Sequence, residues 1–194
     1  MKILIGIFGV ILILFIISQL FFLNSQRNIE TYAFKIIDTY ETIQIRQYEA
    51  SLFTSVEIPS NNYRKTSSKG FSILAGYIFG GNDKKEKIAI TSRVAMSVKD
   101  STTMMFLVPK KYTRDNLPTP NDSSIEFKDV PEKKVAVISF GGWANDLKIA
   151  SFKKKLIEVL DSKAIQCTDN FYFLGYNAPM EVFNRKNEII VELE

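Results

Sequence analysis

Among the residue types that could carry chemistry, the ones that this chain lacks are the most informative. The 194-residue sequence contains no histidine and a single cysteine, Cys167. The absence of histidine excludes His-dependent catalytic triads, the usual zinc sites and the commonest protein ligand of heme iron. Acidic residues are scattered, and neither a Gly-x-Ser-x-Gly elbow nor a phosphate-binding loop occurs. We therefore expect a binding protein rather than an enzyme, with no catalytic residue and no metal site.

A second group of residues could contact a ligand without reacting with it. Four apolar residues recur at the spacing of one helix face: Phe71, Leu74, Ala75 and Ile78. Such a face packs into a core by default, but Ala75 and Gly76 are small and leave room for a flat molecule against the helix. Lys69 at the helix start and Arg93 beyond it could pair with carboxylates of that molecule. The predicted ligand-binding residues are therefore Lys69, Phe71, Leu74, Ala75, Ile78 and Arg93.

The charge pattern indicates a solvated surface. The formal net charge is +4, and basic pairs such as Lys84-Lys85 and Lys110-Lys111 lie beside acidic residues or predicted turns rather than among aromatic residues. We therefore expect no nucleic-acid partner.

The chain begins with a long apolar run from Ile3 to Leu23 that contains no charged residue. As a helix that rises about 1.5 Å per residue, this run reaches about the 30 Å of a bilayer's hydrocarbon core. We interpret residues 1–23 as an uncleaved transmembrane signal anchor, with a cleaved signal peptide as the alternative, and residues 24–33 as a linker. This predicts a single-pass membrane protein with its domain on the non-cytoplasmic side and the membrane as a partner of the N-terminal helix.

Periodicity predicts two consecutive β-β-α-β-β units in residues 34–194. The first helix is predicted over Ser67 to Phe79, before the Gly80-Gly81 turn, and the second over Asp146 to Asp161. The predicted strands cover residues 40–48, 50–58, 87–96, 102–108, 125–129, 133–140, 171–176 and 188–193. The repeated order indicates an internal duplication and an α+β fold. Two such halves can join into one curved sheet or a distorted antiparallel β-barrel flanked by two helices.

Short motifs in this order and spacing resemble those of the SOUL heme-binding protein family. The matching residues are Tyr40-Glu41, Arg46, Tyr48, Gly70-Phe71, Leu74, Tyr77-Ile78, Gly80, Asn82, Lys87-Ile88, Thr91, Leu117-Pro118, Phe140-Gly141-Gly142, Tyr176-Asn177 and Asn187-Glu188. The resemblance covers roughly residues 34–194. It implies a duplicated α+β barrel and a heme or porphyrin ligand in a hydrophobic pocket beside the first helix.

The sequence departs from this family at the axial ligand, because it has no histidine to place on heme iron. Cys167 is more simply a small packing residue, and the methionines and tyrosines at family positions are more simply core residues. We nominate no axial ligand. The resulting expectation is a membrane-anchored protein that binds heme or another tetrapyrrole reversibly. The alternatives are a pocket for a different small apolar ligand and an interaction module with a protein partner.

Overall fold

The computed structural model describes residues 2–25, 30–60, 62–89, 91, 94–97, 102–177 and 181–194. The elements in chain order are α1 (Lys2–Ser25), β1 (Phe34–Tyr40), β2 (Ile43–Tyr48), β3 (Ser51–Ile58), α2 (Tyr63–Ile78), β4 (Val94–Ser97), β5 (Thr102–Leu107), β6 (Ile125–Val130), β7 (Lys133–Gly141), α3 (Asp146–Ser162), β8 (Cys167–Gly175) and β9 (Lys186–Leu193). The α+β class is therefore confirmed.

The strands form one antiparallel sheet in the order β1-β2-β7-β9-β8-β4-β5-β3-β6. Apart from β1, this order has a pseudo-twofold centre between β8 and β4. The last three strands of each unit stay together, and the first strand of each unit joins the other unit: β2 pairs with β7, and β6 pairs with β3. The β-β-α-β-β repeat predicted from the sequence thus appears as two interlocked halves of one sheet.

The sheet curls strongly but does not close. Strands β2 and β3 are joined by Glu49 and Ala50 alone, yet they lie six places apart in the strand order, so the two ends of the sheet must approach each other. Among the described residues, the edge strands β1 and β6 share no ladder, because β1 pairs with β2 and β6 with β3. The prediction of a β-barrel is therefore wrong, because the sheet stays open between β1 and β6.

The outer face of the sheet is covered by α2 and α3, and the two helices share one apolar core. Leu74 of α2 and Leu156 and Leu160 of α3 are each 0% exposed. They pack against strand residues such as Ile189, which is equally buried. Burial of this kind is the main favourable contribution to folding.

The inner face has a core of a different kind, because it contains a buried ion pair. The guanidinium of Arg46 on β2 lies 3.0 Å from the carboxylate of Glu188 on β9, and the two side chains are 4% and 0% exposed. Arg46 also donates to the hydroxyl of Tyr48 at 3.2 Å, and Tyr176 donates to the same carboxylate. Burial alone would raise the pKa of Glu188, but the hydrogen bonds and charge of Arg46, with Tyr176 and Lys186, hold this pKa below its usual value.

Helix α1 lies at the N-terminus, with most of its described side chains from Ile7 to Ile17 exposed. Its buried Gln19 accepts a hydrogen bond from the backbone N–H of Val182 at 3.3 Å. In the part of the chain that the structure describes, no helix combines the length and the apolar character needed to cross a membrane. The prediction of a single-pass membrane protein is therefore wrong.

Candidate functional site

The candidate site is built around α2, whose two ends are fixed by asparagine side chains. Asn62 is the N-cap, and its side-chain oxygen accepts the N–H of Lys65 at 3.0 Å. Beyond the helix, the buried amide of Asn82 donates to the carbonyls of Tyr77 at 3.2 Å and Glu86 at 2.8 Å. Gly80 adopts a φ of 109° at this turn, which a side chain would strain. These contacts orient α2 against the sheet.

The predicted ligand-binding residues occupy different environments. Leu74, Ala75 and Ile78 are 0%, 8% and 6% exposed and belong to the core between α2 and the sheet. Phe71 is 38% exposed, and its ring lies 5.5 Å from the ring of Phe106. Lys69 is exposed, away from this apolar face, and Arg93 lies outside the described residues. The structure brings the apolar residues together but does not bring Lys69 to them.

The space beneath α2 is small. A cavity of about 10 Å³ lies between the helix and the sheet, lined by Tyr77, Ile78, Ile88 and Phe106 among others. Sites for drug-sized ligands have volumes of about 300 to 1,000 Å³. A tetrapyrrole therefore does not fit beneath the helix in this conformation.

The outward side of α2 is much more open. Ser68, Ser72 and Gly76 follow one another along it at helical spacing, and all three are exposed. A Cβ atom built on Gly76 would meet no atom within 4 Å. Phe79, 58% exposed, follows at the end of the helix, and Phe71, 38% exposed, lies at the border between this side and the core. The strip of Ser68, Ser72 and Gly76 therefore consists of small exposed residues.

A groove lies beside the first turns of α2, where α3 also begins. The carboxylate of Asp146 accepts the backbone N–H of Tyr63 at 2.9 Å, which joins the two helix starts. The groove has a volume of about 740 Å³, and its lining includes Tyr63, Arg64, Lys65, Ser68 and Ala144. Burial raises the pKa of Tyr63, so its hydroxyl stays protonated at neutral pH. The groove is large enough for a tetrapyrrole and carries two cations.

Trp143 precedes the groove residue Ala144 and is 56% exposed. The Arg185 guanidinium lies over its ring at 3.8 Å from the centroid. Because Trp143 is exposed, it does not fill the core. The sequence prediction of the site missed Asn62 and Tyr63, and an Asn N-cap before Tyr63 was the available signal for an earlier helix start.

Iron ligands from the protein are scarce. Within the described ranges, no three His, Cys, Asp or Glu side chains are grouped so that they could hold a metal ion. Cys167 is half-buried, and burial raises the pKa of its thiol. The thiolate, which is the form that binds iron, is therefore disfavoured.

Comparisons with known proteins identify the fold family. The family described as SOUL heme-binding protein matches residues 29–192. The chain belongs to this family. Its relatives include Heme-binding protein 2 of Homo sapiens, 30% identical over 161 residues that cover 75% of each chain. Heme-binding protein 1 of Xenopus laevis is 26% identical over 152 residues that cover 74% of this chain and 80% of the relative.

The SOUL domain also has structural neighbours at low sequence identity. The EcmrR C-terminal domain matches with a TM-score of 0.62 and 11% identity, covering 78% of this chain and 96% of that chain. A hydrolase from Listeria innocua matches with a TM-score of 0.58 and 7% identity, covering 81% and 94%. Identities this low show a shared fold and nothing about function. The family resemblance found in the sequence is thus confirmed.

Proposed function

We propose that this SOUL domain binds heme or another tetrapyrrole reversibly on the outward side of α2, without a histidine ligand and without catalysing a reaction. The observation that carries the proposal is the contrast in space on the two sides of the helix. The cavity beneath α2 measures about 10 Å³, and the groove beside its first turns, which Ser68 of the outward strip also lines, measures about 740 Å³.

The chemistry of the open side suits a flat ligand with carboxylates. The strip of Ser68, Ser72 and Gly76 lets a planar ring lie close to the helix, and exposed aromatic rings can stack against its edges. Arg64 and Lys65 line the groove and can pair with the propionates of a tetrapyrrole. The energy of binding then comes from apolar contact and charge pairing rather than from an iron–histidine bond.

A titration of the full chain with hemin, followed by Soret absorbance, tests the proposal. We expect saturation at one equivalent. Gly76→Ala should bind like the wild type because the space around Gly76 is open. Gly76→Trp should bind at least about tenfold more weakly, a difference of about 1.4 kcal/mol, because its ring occupies the strip. No saturable Soret change, or equal affinity for the two variants, would contradict the proposed site.

Iron-free protoporphyrin IX tests the absence of a protein ligand on iron. If no side chain ligates the iron, hemin and protoporphyrin IX should bind with affinities within about tenfold of each other. Binding of hemin that is about a hundredfold tighter would indicate an iron ligand from the protein.

A further inference from the structure

The inner face of the curled sheet encloses a second apolar cluster that tetrapyrrole binding on α2 does not use. Its buried members on the strands are Tyr48, Phe53, Ala95, Met105, Leu107, Val135, Val137, Leu174 and Ile190. The cluster contains a void of about 20 Å³, which is also lined by Lys133 and Tyr172. This interior lies across the sheet from both helices.

Tyr32 fills one end of this interior, although it belongs to no strand. Its side chain is 5% exposed. The centroid of its ring lies 4.4 Å from that of Tyr48 on β2 and 5.2 Å from that of Phe53 on β3, in tilted and edge-on arrangements. Tyr32 also lines the void. An aromatic ring from the N-terminal segment thus occupies a box made by the two ends of the sheet.

The segment that carries Tyr32, residues 30–33, is attached at its ends. The carbonyl of Ala33 accepts the N–H of Glu49 at 3.1 Å, and the carboxylate of Glu30 accepts the N–H of Lys110 at 2.8 Å. A short segment outside the regular strands can open at a much lower free energy than the strands of a core. Outward movement of residues 30–33 would join the volume of the Tyr32 ring to the void behind it.

The charged residues around this interior determine which kind of ligand it can bind. Arg46 is paired with Glu188 at 3.0 Å, and Lys133 with Glu192 at 2.5 Å. A charged ligand would be buried without a partner of its own, which is costly. The aromatic walls favour stacked and edge-on contacts with another ring. The interior therefore suits an uncharged aromatic group.

We propose that the inner face is a second binding site, for a small uncharged aromatic molecule with a single ring, and that Tyr32 is its removable plug. The plug and the ligand compete for the same box. The apparent affinity of the wild type is therefore lowered in proportion to the fraction of molecules with the plug out.

Binding of p-cresol, the tyrosine side chain as a free molecule, tests the proposal on the full chain. Tyr32→Ala should bind p-cresol at least about tenfold more tightly than the wild type, because it removes the competing ring. Tyr32→Phe, which keeps the ring, should bind like the wild type. Leu160→Ala opens the core on the helix side and should bind no better than the wild type. Equal binding by Tyr32→Ala and the wild type would overturn the proposal.

Hydrogen exchange in the wild type provides a test that does not depend on folding of the variant. Saturating p-cresol should speed exchange of the Glu49 amide at least about tenfold, because its acceptor on Ala33 leaves with the plug. The Val137 amide within the sheet should be unaffected. A Glu49 amide that stays protected at saturation would show that Tyr32 is a fixed core residue.

The hemin titration separates this site from the one on α2. Hemin affinity of Tyr32→Ala should stay within about twofold of the wild type, because the two sites lie on opposite faces of the sheet. A loss of hemin binding in this variant would overturn the assignment of a separate inner site.

Discussion

Helices α2 and α3 occupy equivalent places in the two halves of the sheet, yet their outward sides differ. Each begins after an asparagine N-cap whose side chain accepts the N–H three residues later, from Lys65 in α2 and Lys148 in α3. Ten residues after the caps, α2 has Ser72 and α3 has Lys155. The outward side of α2 carries the small residues Ser68, Ser72 and Gly76 beside the exposed Lys69, whereas that of α3 carries Lys154 and Glu158 as an exposed ion pair.

The comparison of α2 with α3 shows which helix residues the duplication keeps alike and which residues can diverge. Both helices must bury an apolar stripe on the same sheet, so their inward residues remain apolar. Their outward residues do not contribute to the core and can diverge. α3 is therefore an internal reference for α2: a change that affects folding should act alike on both, and a change that affects binding should act on α2 alone.

The largest expected loss of stability comes from breaking the Arg46–Glu188 ion pair on the inner face. This pair joins β2 of the first β-β-α-β-β unit to β9 of the second, and each unit carries one of the two helices. Glu188→Gln would leave the buried charge of Arg46 without its carboxylate. The free energy of unfolding should fall by about 3–5 kcal/mol, as measured by urea denaturation at neutral pH. A loss below about 1 kcal/mol would mean that the pair is not a shared support of both halves.

The pH dependence of stability provides the control for this variant. The pKa of Glu188 is lowered in the folded state, so its contribution is complete above the unfolded value near 4.5. It is lost as the pH falls from there through the lowered folded value. The wild type should therefore lose more stability than Glu188→Gln between pH 6 and acid conditions. Parallel pH curves for the two proteins would contradict this assignment.

The next effect tests whether the two helices are equal as structural elements. Leu74→Ala in α2 and Leu160→Ala in α3 each remove a side chain that is 0% exposed. Each should lower the free energy of unfolding by about 2–5 kcal/mol in urea denaturation. A loss in one helix below about 1 kcal/mol, with a full loss in the other, would show that only one helix supports the sheet.

Much of this fold was predictable from periodicity, and the exceptions have local causes. Strand β1 escaped prediction because five of its seven residues are exposed, which removes the alternation that identifies a strand. The predicted strand from Lys87 begins only at Val94, because the backbone N–H of Ile88 donates to the carbonyl of Ile78 at the end of α2 and not to a neighbouring strand. The curl of the sheet depends on pairings between distant strands, which periodicity does not report.

The candidate site was predictable only in part. The spacing of Phe71, Leu74 and Ile78 correctly indicates a single face, but most of that face packs into the core. The groove instead requires Tyr63 and Asp146, which are 83 residues apart in the chain. Sequence spacing cannot show that two helix starts meet, because this contact depends on the pseudo-twofold arrangement of the sheet.

Charge reversal on the outward sides gives the smallest expected effect. Lys69→Glu on α2 should weaken hemin binding several-fold, because an exposed charge pair contributes about 0.2–1 kcal/mol. Lys154→Glu on α3 should leave hemin affinity unchanged. The difference should shrink at high salt, where exposed charges are screened. Equal weakening by both variants would indicate a general effect of net charge and no preference for α2.

The matched pair Ser68→Trp and Ser151→Trp tests the central claim most directly. Both serines are exposed and lie six residues after their respective N-caps, so the two substitutions differ only in the helix that carries them. In a hemin titration, Ser68→Trp should bind at least about tenfold more weakly than the wild type, and Ser151→Trp should bind like the wild type. Equal affinities for the two variants would contradict tetrapyrrole binding on α2.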